Sequence, residues 1–487
     1  MITSLLIFFP FVAALLLLLI KGEQVKKIAL AAAIIEFGIS IFALSQFNKT
    51  GGVQFETNIK WIASMGINFH VGIDGISMLL VLLTTFLVPV IILTSFSSNH
   101  KNPSAFYSLI LFMQMALIGV FVSLDGFLFY IFWELALIPI YFICLLWGGE
   151  NRAKITFKFF VYTLAGSLLM LGGLIYLYQH TESHTFNIAA LYQAGQSLDA
   201  KHQGYLFWAM FMAFAIKMPI FPFHTWQPDT YTTAPTQGTM LLSGIMLKMG
   251  TFGLIRWLLP IAPLGVQEWG HFAILLSVIG IVYASCIAIV QKDFKRLIAY
   301  SSIAHVGLIA AGILAANVQG VQGGMIQMIS HGVNVVALFF IVDIIQQKAG
   351  TREIASLGGI RNMNPTFAVL FLIVLLGSVA LPLTNGFVGE FLLLNGLYQY
   401  SAWFAFFAGL SVILGAVYML RSYQSIMLGE VNNITAKFAA LTGNEKGVLI
   451  LLCAVIIVFG VYPKTLMDIS EPAVIKIVET YKIATGK

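Results

Sequence analysis

Six titratable side chains stand inside stretches of the chain that are otherwise almost entirely apolar. They are two carboxylic acids, two lysines and two histidines: Glu134, Lys217, Lys248, His305, His331 and Glu390. An ionised side chain at the centre of a bilayer costs about 2.5–3.5 kcal/mol on insertion scales, so such groups rarely face lipid. A lone membrane histidine is commonly a helix–helix hydrogen bond. Six such groups on six segments together favour a relay for protons or ions.

The composition of the chain indicates that these stretches cross a membrane. Of its 487 residues, 59% are hydrophobic and only 9% are charged, and the mean hydropathy is +0.92. Soluble proteins carry about 25% charged residues. Apolar segments of about 18 or more residues recur from end to end without the alternation of a barrel strand. The sequence therefore predicts an all-α membrane protein.

Segment length and hydropathy predict about fourteen transmembrane helices. Their approximate bounds are 2–20, 28–47, 74–96, 106–124, 126–147, 157–178, 205–223, 238–259, 271–290, 297–316, 321–345, 366–397, 402–420 and 447–462. The first of them lacks a basic leading region and a small-residue cleavage site, which predicts a retained span and not a removed signal peptide. The polar stretch 48–73 is long enough for a small hairpin outside the bilayer.

The distribution of basic residues predicts the orientation of the chain. Sixteen Lys and Arg residues fall in loops after odd-numbered predicted spans, and eight fall after even-numbered ones. The eight are Lys49, Lys60, Lys201, Arg256, Lys464, Lys476, Lys482 and Lys487. Cytoplasmic loops are enriched in Lys and Arg, so both termini are expected on the outer side. The net charge of +6 is then a topology signal and not a surface for nucleic acid.

Two prolines interrupt a predicted span directly after a lysine. The stretch FAIKMPIFPFHTWQPD, residues 214–229, places Pro219 and Pro222 behind Lys217. Proline lacks the backbone N–H of a helix, and its ring clashes with the preceding turn. We therefore expect the helix to open beside Lys217. Freed carbonyls at membrane depth require protein groups or water, which predicts a hydrated pocket next to the lysine.

A second interrupted span lies in the other half of the chain. In GSVALPLTNGFVGEFLLLNG, residues 377–396, Pro382 frees a carbonyl, and Gly386 and Gly389 are expected to loosen the helix before Glu390. Two broken spans that each carry a charge, in corresponding positions, indicate inverted repeats with an ion path at the membrane midplane.

The repeats define a provisional domain organisation. Each repeat would contain five helices, over about 106–260 and 271–420. Residues 1–105 would form three N-terminal helices with an outer loop, and residues 421–487 the last span and a short tail.

Other candidate sites are weak. The three cysteines lie singly in apolar runs, and the chain carries neither a C-x-x-C spacing nor a nucleotide-binding fingerprint. A disulfide framework, an iron–sulfur cluster, a zinc site and a bound nucleotide are therefore not expected. Glu36 stands alone on an early span, and a structural contact and a functional role are both open for it.

Several stretches resemble the antiporter-like subunits of respiratory complex I. They are IFWELALIPIYF, FAIKMPIFPFHTWQPD, GIMLKMGTFGLIRW, KRLIAYSSIAHVG, QMISHG and GFVGEF, and the resemblance covers nearly the whole chain. Glu390 is an acid where the sibling L- and N-type subunits usually carry a lysine. Two further features differ from those siblings. One is the pair of sequence motifs FWE and LKMGTFG, and the other is that the chain ends soon after its last predicted span, without a long lateral helix.

The resemblance implies a role for each of the six groups. Glu134 would pair with Lys217 and tune it, Lys248 would be the central relay, and Glu390 would be the terminal group toward the outer side. His305 and His331 would continue the path. The chain departs from the family in the loop after the first break, at Gln227, Thr230, Tyr231 and Thr233, and at Leu383 after Pro382. The usual polar contacts of that inner loop are therefore not expected.

The function implied by the resemblance is proton pumping driven by redox chemistry in other subunits. The chain itself would hold no cofactor, while NADH, flavin, iron–sulfur clusters and quinone would be used elsewhere in an NADH–quinone oxidoreductase of the bacterial inner membrane. Its partners would be other membrane-arm subunits, especially the L- and N-type ones, and lipid, with no nucleic acid. A subunit of a multisubunit sodium–proton antiporter, a membrane hydrogenase subunit and a passive assembly subunit are the alternatives.

Overall fold

The structure, a computed structural model, describes residues 1–98 and 100–486, so Lys487 of the basic residues counted above lies outside it. The first part of the chain forms α1 (Ile2–Leu19), α2 (Gln24–Gln46), β1 (Gln54–Ile62), β2 (Ile67–Ile73), α3 (Gly75–Thr94), α4 (Pro103–Val122), α5 (Gly126–Trp147) and α6 (Arg152–His180). The middle part forms α7 (Ile188–Ser197), α8 (Ala200–Lys217), α9 (Gln227–Thr233), α10 (Thr236–Ile261), α11 (Pro263–Ile289), α12 (Phe294–Leu314) and α13 (Val318–Ala349). The last part forms α14 (Pro365–Ser378), α15 (Asn385–Tyr400), α16 (Ala402–Met427), α17 (Gly443–Val461) and α18 (Lys464–Thr485).

The predicted class, an all-α membrane protein, is confirmed. Within the described residues, 12 helices are long and apolar enough to cross a bilayer. Helices suit this solvent because they satisfy every backbone hydrogen bond within the segment. The predicted spans 205–223 and 366–397 instead fall on interrupted helices: α8 stops at Lys217, and the second range is divided between α14 and α15.

Several helices extend beyond the predicted apolar cores because polar residues cap them. The side chain of Asn102 accepts the Ala105 N–H before α4, which begins at Pro103 and not near 106. Asn317 does the same for Gly320 at the start of α13. Thr442 and Glu445 form a reciprocal capping box at the start of α17. Hydropathy alone does not register these polar turns, so it placed the ends too far inward.

The hairpin and the C-terminal helix lie on the same face of the bundle as the N-terminus, here called the N-terminal face. The polar stretch 48–73 forms the antiparallel hairpin β1–β2. Thr3 Oγ1 donates to the carbonyl oxygen of Phe55 at 2.7 Å, and Lys49 pairs with Asp468 of α18 at 3.3 Å. The N-terminus, the hairpin and α18 therefore share this face.

The C-terminal segment differs from the short tail that the sequence indicated. It forms the 22-residue helix α18, which packs across the bundle. A Cβ at Gly75 of α3 would lie only 2.1 Å from the carbonyl oxygen of Ile469, and Gln322 of α13 donates to Ser470 at 3.0 Å. The helix ties α3 to α13, and its mixed polar and apolar composition kept it below the hydropathy of a span.

Three helices form the centre of the bundle. The apolar windows of α10 and α13 are wholly buried inside the protein, and that of α12 is nearly so. By contrast, only about a third or less of the residues in the apolar windows of α1, α2, α16 and α17 are buried. Polar groups on α10, α12 and α13 consequently meet one another and not lipid, which is the arrangement that the cost of buried charge requires.

Candidate proton relay

Lys248 lies on α10 between two wider turns of π-helix, Leu242–Met246 and Leu254–Leu258. In the first of these turns the Leu247 N–H donates to the carbonyl of Leu242 at 3.0 Å, five residues back. The carbonyl of Ser243 is thereby released from its α-helical partner, and it accepts the ammonium of Lys248 at 2.6 Å. Such π-turns occur frequently at functional sites. The helix thus supplies a local acceptor for a fully buried lysine.

The ammonium of Lys248 also reaches α13. Its Nζ lies 2.8 Å from Nδ1 of His331, and Nε2 of that ring lies 3.1 Å from Oγ of Ser302 on α12. A charged lysine only donates hydrogen bonds, so Nδ1 is the acceptor and a neutral ring carries its proton on Nε2. His331 therefore connects Lys248 to α12 through its two nitrogens.

A second polar pair follows on α12 and α15. Nδ1 of His305 lies 2.9 Å from Oε1 of Glu390, and Nε2 of Gln327 donates to the same oxygen at 3.3 Å. Both residues of the pair are buried. The ring centres of His305 and His331 are 6.0 Å apart, too far for direct hydrogen bonding.

A small polar cavity fills the gap between the two histidines. Its volume is about 10 Å³, and its polar lining comprises Ser301, Ser302, His305, Gln327, His331, Asn334 and Ser378. A water needs roughly 10–15 Å³ and two to four polar partners, and this cavity offers both. Lys248, His331, one water-sized site, His305 and Glu390 thus form a continuous polar series through the bundle.

The second helix break lies beside this series. Residues 379–384, which include Pro382, separate α14 from α15, and α13 satisfies the freed backbone: Asn334 donates to the carbonyl of Gly377 at 2.9 Å. The expectation that Gly386 and Gly389 loosen the helix is wrong, because both lie inside α15. A Cβ at Gly389 would lie 2.4 Å from the side chain of Gln327. This glycine allows α15 to approach α13 closely, which brings Glu390 within reach of Gln327.

The first helix break lies at Lys217, the last residue of α8. The carbonyl of Ala215, which cannot bond to Pro219, accepts the N–H of Ile220 at 2.8 Å. The carbonyl of Ile216 accepts the indole N–H of Trp226 at 2.9 Å. Protein donors therefore satisfy both freed carbonyls, because the chain after the break folds back onto its own helix end.

Glu134 and Lys217 lie close enough to interact through space, but they do not form an ion pair in the described structure. Lys217 is 2% exposed, and its ammonium lies 5.2 Å from the ring centre of Trp133. Neither its Nζ nor Oε1 of Glu134 has a hydrogen-bond partner among the described residues. A Cβ at Gly250 would lie 2.4 Å from the side chain of Met218, so the end of α8 packs against the helix of Lys248. The structure joins four of the six groups and leaves these two beside them.

The prediction that Arg256 belongs to a loop is wrong. It lies within α10, and its Nη2 donates to Asp74 Oδ1 at 2.5 Å and to Ser77 Oγ at 3.2 Å. Both members of this pair are buried. Asp74 also caps α3 by accepting the N–H groups of Ile76 and Ser77. An acid directly before an apolar run is a helix-start signal, but its partner, 182 residues away, was not detectable.

The loop after the first break also makes polar contacts that the departures from the family pattern did not lead us to expect. Asp229 pairs with Lys158 of α6 and with Arg296 of α12, both at 3.1 Å. It lies at the start of α9. The acid that follows Pro228 therefore ties α6 and α12 together opposite the N-terminal face.

The remaining isolated acid, Glu36, lies on α2, outside the polar series. It is fully buried, and within the described chain its two carboxyl oxygens have no hydrogen-bond partner. The described residues also contain no group of three or more His, Cys, Asp or Glu side chains arranged to hold a metal ion.

Comparison with known proteins assigns the chain to a family. The family model described as "NADH:quinone oxidoreductase/Mrp antiporter, TM" matches residues 123–415, which include all six titratable groups. A subunit M of NADH-quinone oxidoreductase from Rickettsia conorii is 41% identical over 478 residues, 96% of this chain and 97% of that protein.

Solved structures agree with that match. A chain of respiratory complex I from Thermus thermophilus superposes with a TM-score of 0.92 at 29% identity, covering 99% of this chain and 100% of that one. A chain of the Mrp complex from Dietzia shares the fold, with a TM-score of 0.85 at 18% identity. The superposition covers 99% of this chain but only 55% of that longer one. This chain is thus a member of the NADH:quinone oxidoreductase/Mrp antiporter transmembrane family.

Proposed function

We propose that the chain acts as the proton-translocating subunit M of an NADH–quinone oxidoreductase, and that Lys248, His331, His305 and Glu390 carry the protons. The observation that supports this path is the series of hydrogen-bonding groups that leads from α10 to α15. Its one gap among the described residues, between His331 and His305, is a cavity that fits one water. The relatives of high identity are named as that subunit.

The first part of the path runs from Lys248 to the cavity. Lys248 transfers a proton along its 2.8 Å hydrogen bond to Nδ1 of His331, and the ring then releases a different proton from Nε2. Ser302, at 3.1 Å from Nε2, and a water in the cavity accept it. A histidine suits this step because its two nitrogens bind and release protons on opposite sides of the ring.

The second part runs from the cavity to α15. His305 receives the proton and passes it from Nδ1 to Glu390 at 2.9 Å. Glu390 is the terminal group on this chain, and α15 continues from it toward the N-terminal face. We infer that this face is the outer one and that the membrane is the bacterial inner membrane, in agreement with the predominance of basic residues in the opposite loops.

Glu134 and Lys217 are proposed to control the supply of protons to Lys248. A negative charge on Glu134 stabilises the ammonium of Lys217 through space, since a Coulomb interaction persists without direct contact in a low-dielectric interior. When that charge is removed, Lys217 yields its proton toward the helix of Lys248. Electron transfer would occur in other subunits with NADH, flavin, iron–sulfur clusters and quinone, and the L- and N-type subunits would be the neighbours.

A membrane antiporter subunit is the second candidate function, because the Mrp structure has the same fold. The subunit M relatives favour the oxidoreductase, because they share about 40% of their residues with this chain and the alignments cover nearly all of both proteins. In the purified complex in liposomes, proton uptake driven by NADH oxidation would support the first function. Sodium–proton exchange in the absence of electron donors, without such uptake, would instead support the second.

The path itself predicts that His331→Gln abolishes most proton uptake without unfolding the chain. A neutral amide hydrogen-bonds to Lys248 but cannot accept a proton and release another, so we expect a loss of roughly tenfold or more. The measurement is the number of protons taken up per NADH oxidised in liposomes. The control is His271→Gln, at a histidine of α11 outside the series whose ring packs against Phe404 at a tilted angle. Normal uptake by the His331 variant would exclude this path.

The control role of Glu134 and Lys217 predicts a particular double-mutant pattern. If the two were a structural ion pair, each single removal would cost about 3–5 kcal/mol and the double removal would restore much of that. Because no such pair is formed, we expect Glu134→Ala and Lys217→Ala to assemble normally but to pump poorly, and the double variant to remain inactive. Pumping and detergent stability of all three variants measure this. Restored pumping in the double variant would refute the control role.

A further inference from the structure

A deep apolar groove runs along the membrane-exposed side of the N-terminal helices, away from the polar series. Its floor is formed by α3 and α13, its walls by α2 and α17, and one end by the start of α18. Its volume is about 340 Å³, and Thr465 is the one polar residue among those that line it. We call it the α2–α17 groove.

This groove is unsuited to hold water, and leaving it empty would be unfavourable. A water needs two to four polar partners, and the lining offers almost none. An empty apolar space also forfeits the dispersion contacts of its walls. Ile41 on the rim of the groove is 44% exposed, so the space opens sideways toward the surroundings of the bundle. In a membrane those surroundings are acyl chains.

The dimensions of the groove match one acyl chain of one leaflet. The rings of Phe37 and Phe86, 5.9 Å apart, close its deep end. From Phe37 to Gln46, where α2 ends, the helix rises about 14 Å, roughly half of the ~30 Å hydrocarbon thickness. The groove therefore reaches from the N-terminal face to the middle of the bilayer.

Positive charge marks the open end of the groove. Lys464 is the first residue of α18 and directly precedes Thr465 of the lining. Lys49 lies at the same end, because it pairs with Asp468 on the next turn of α18. The Asp468 carboxylate offsets the charge of Lys49, so the excess positive charge at this end comes from Lys464 and from the partial charge of the α18 N-terminus. Together they suit a phosphate at the membrane surface.

We propose that the α2–α17 groove holds one acyl chain of an anionic phospholipid whose headgroup phosphate lies at Lys49 and Lys464. The lipid completes the contact between the N-terminal helices and the α17–α18 segment, which both pack on α3. A neighbouring subunit is the other conceivable occupant, but it would have to supply a single apolar segment that ends at mid-membrane beneath a pair of lysines.

The test uses the intact purified complex and a phosphatidylglycerol with a photoactivatable diazirine near the end of one acyl chain. After incorporation, the complex is washed exhaustively with detergent, irradiated and analysed by peptide mass spectrometry. We expect adducts on Leu83 and Ile329, which line the deeper part of the groove and are 3% and 5% exposed. Adducts only on lipid-facing positions such as Ile34 would overturn the proposal.

Two sets of variants sharpen this test. Ile41→Trp fills the groove from its rim and should remove the Leu83 and Ile329 adducts, whereas Ile34→Trp, on an exposed face of the same helix, should keep them. Lys49→Gln and Lys464→Gln should each lower the retained lipid by about fivefold, as expected for a lysine near an anionic headgroup. Adducts that persist in Ile41→Trp, or crosslinks that join the groove to another subunit, would contradict lipid binding there.

Discussion

Lys248→Ala is expected to reduce proton uptake and coupled quinone reduction by roughly tenfold or more, while the complex still assembles. The ammonium of Lys248 is the starting point of the series, and its only polar contacts in the described structure are the carbonyl of Ser243 and Nδ1 of His331. Lys248→Met removes the proton carrier and keeps most of the volume, so it should match the alanine variant. Uptake in liposomes and NADH oxidation measure both effects.

Lys248→Arg separates charge from proton transfer at the same position. An arginine keeps the positive charge, but a guanidinium pKa above about 12 prevents release of the proton, so this variant should pump as poorly as Lys248→Ala. Lys154→Ala, at an exposed lysine near the start of α6, should pump normally and serves as the control. Full pumping by the arginine variant would exclude proton transfer through Lys248.

The largest expected loss of stability follows from breaking the buried pair of Asp74 and Arg256. Arg256→Ala strands the Asp74 carboxylate between α3 and α10, and we expect the free energy of unfolding to fall by about 3–5 kcal/mol. Asp74→Asn leaves Arg256 unpaired but keeps the cap of α3, since asparagine caps helices about as well as aspartate. It should therefore be milder than Asp74→Ala, which loses both interactions.

A neutral double variant tests the cause of that loss. Asp74→Asn combined with Arg256→Met leaves no unpaired charge and should recover much of the stability lost in Arg256→Ala. Lys158→Ala breaks the half-exposed pair with Asp229 and should cost only about 0–1 kcal/mol. The detergent unfolding midpoint and the yield of assembled complex are the measurements. Equal losses for the Lys158 and Arg256 variants would show that burial of the pair contributes nothing.

The sequence by itself determined that the protein lies in a lipid bilayer, that its fold is all-α, and which titratable groups lie within the membrane. Long apolar runs force helices in a bilayer, and an ionised group within such a run is expensive enough to indicate a function. Pro219 and Pro382 were sufficient to locate both interrupted helices, because proline acts on its own turn of the helix. These effects are local or set by the membrane, and so they can be read without knowing which helices are neighbours.

Only the tertiary structure decided which groups meet. The pairing of Lys248 with His331 spans 83 residues and that of His305 with Glu390 spans 85, and neither distance in sequence indicates contact. The π-turn that gives Lys248 its carbonyl acceptor, and the glycine that brings α15 against Gln327, depend on how α10, α13 and α15 pack. Arg256 was misassigned for the same reason. Near the end of an apolar run a charge is equally consistent with a loop and with a buried pair, and the deciding group, Asp74, comes from a helix 182 residues away.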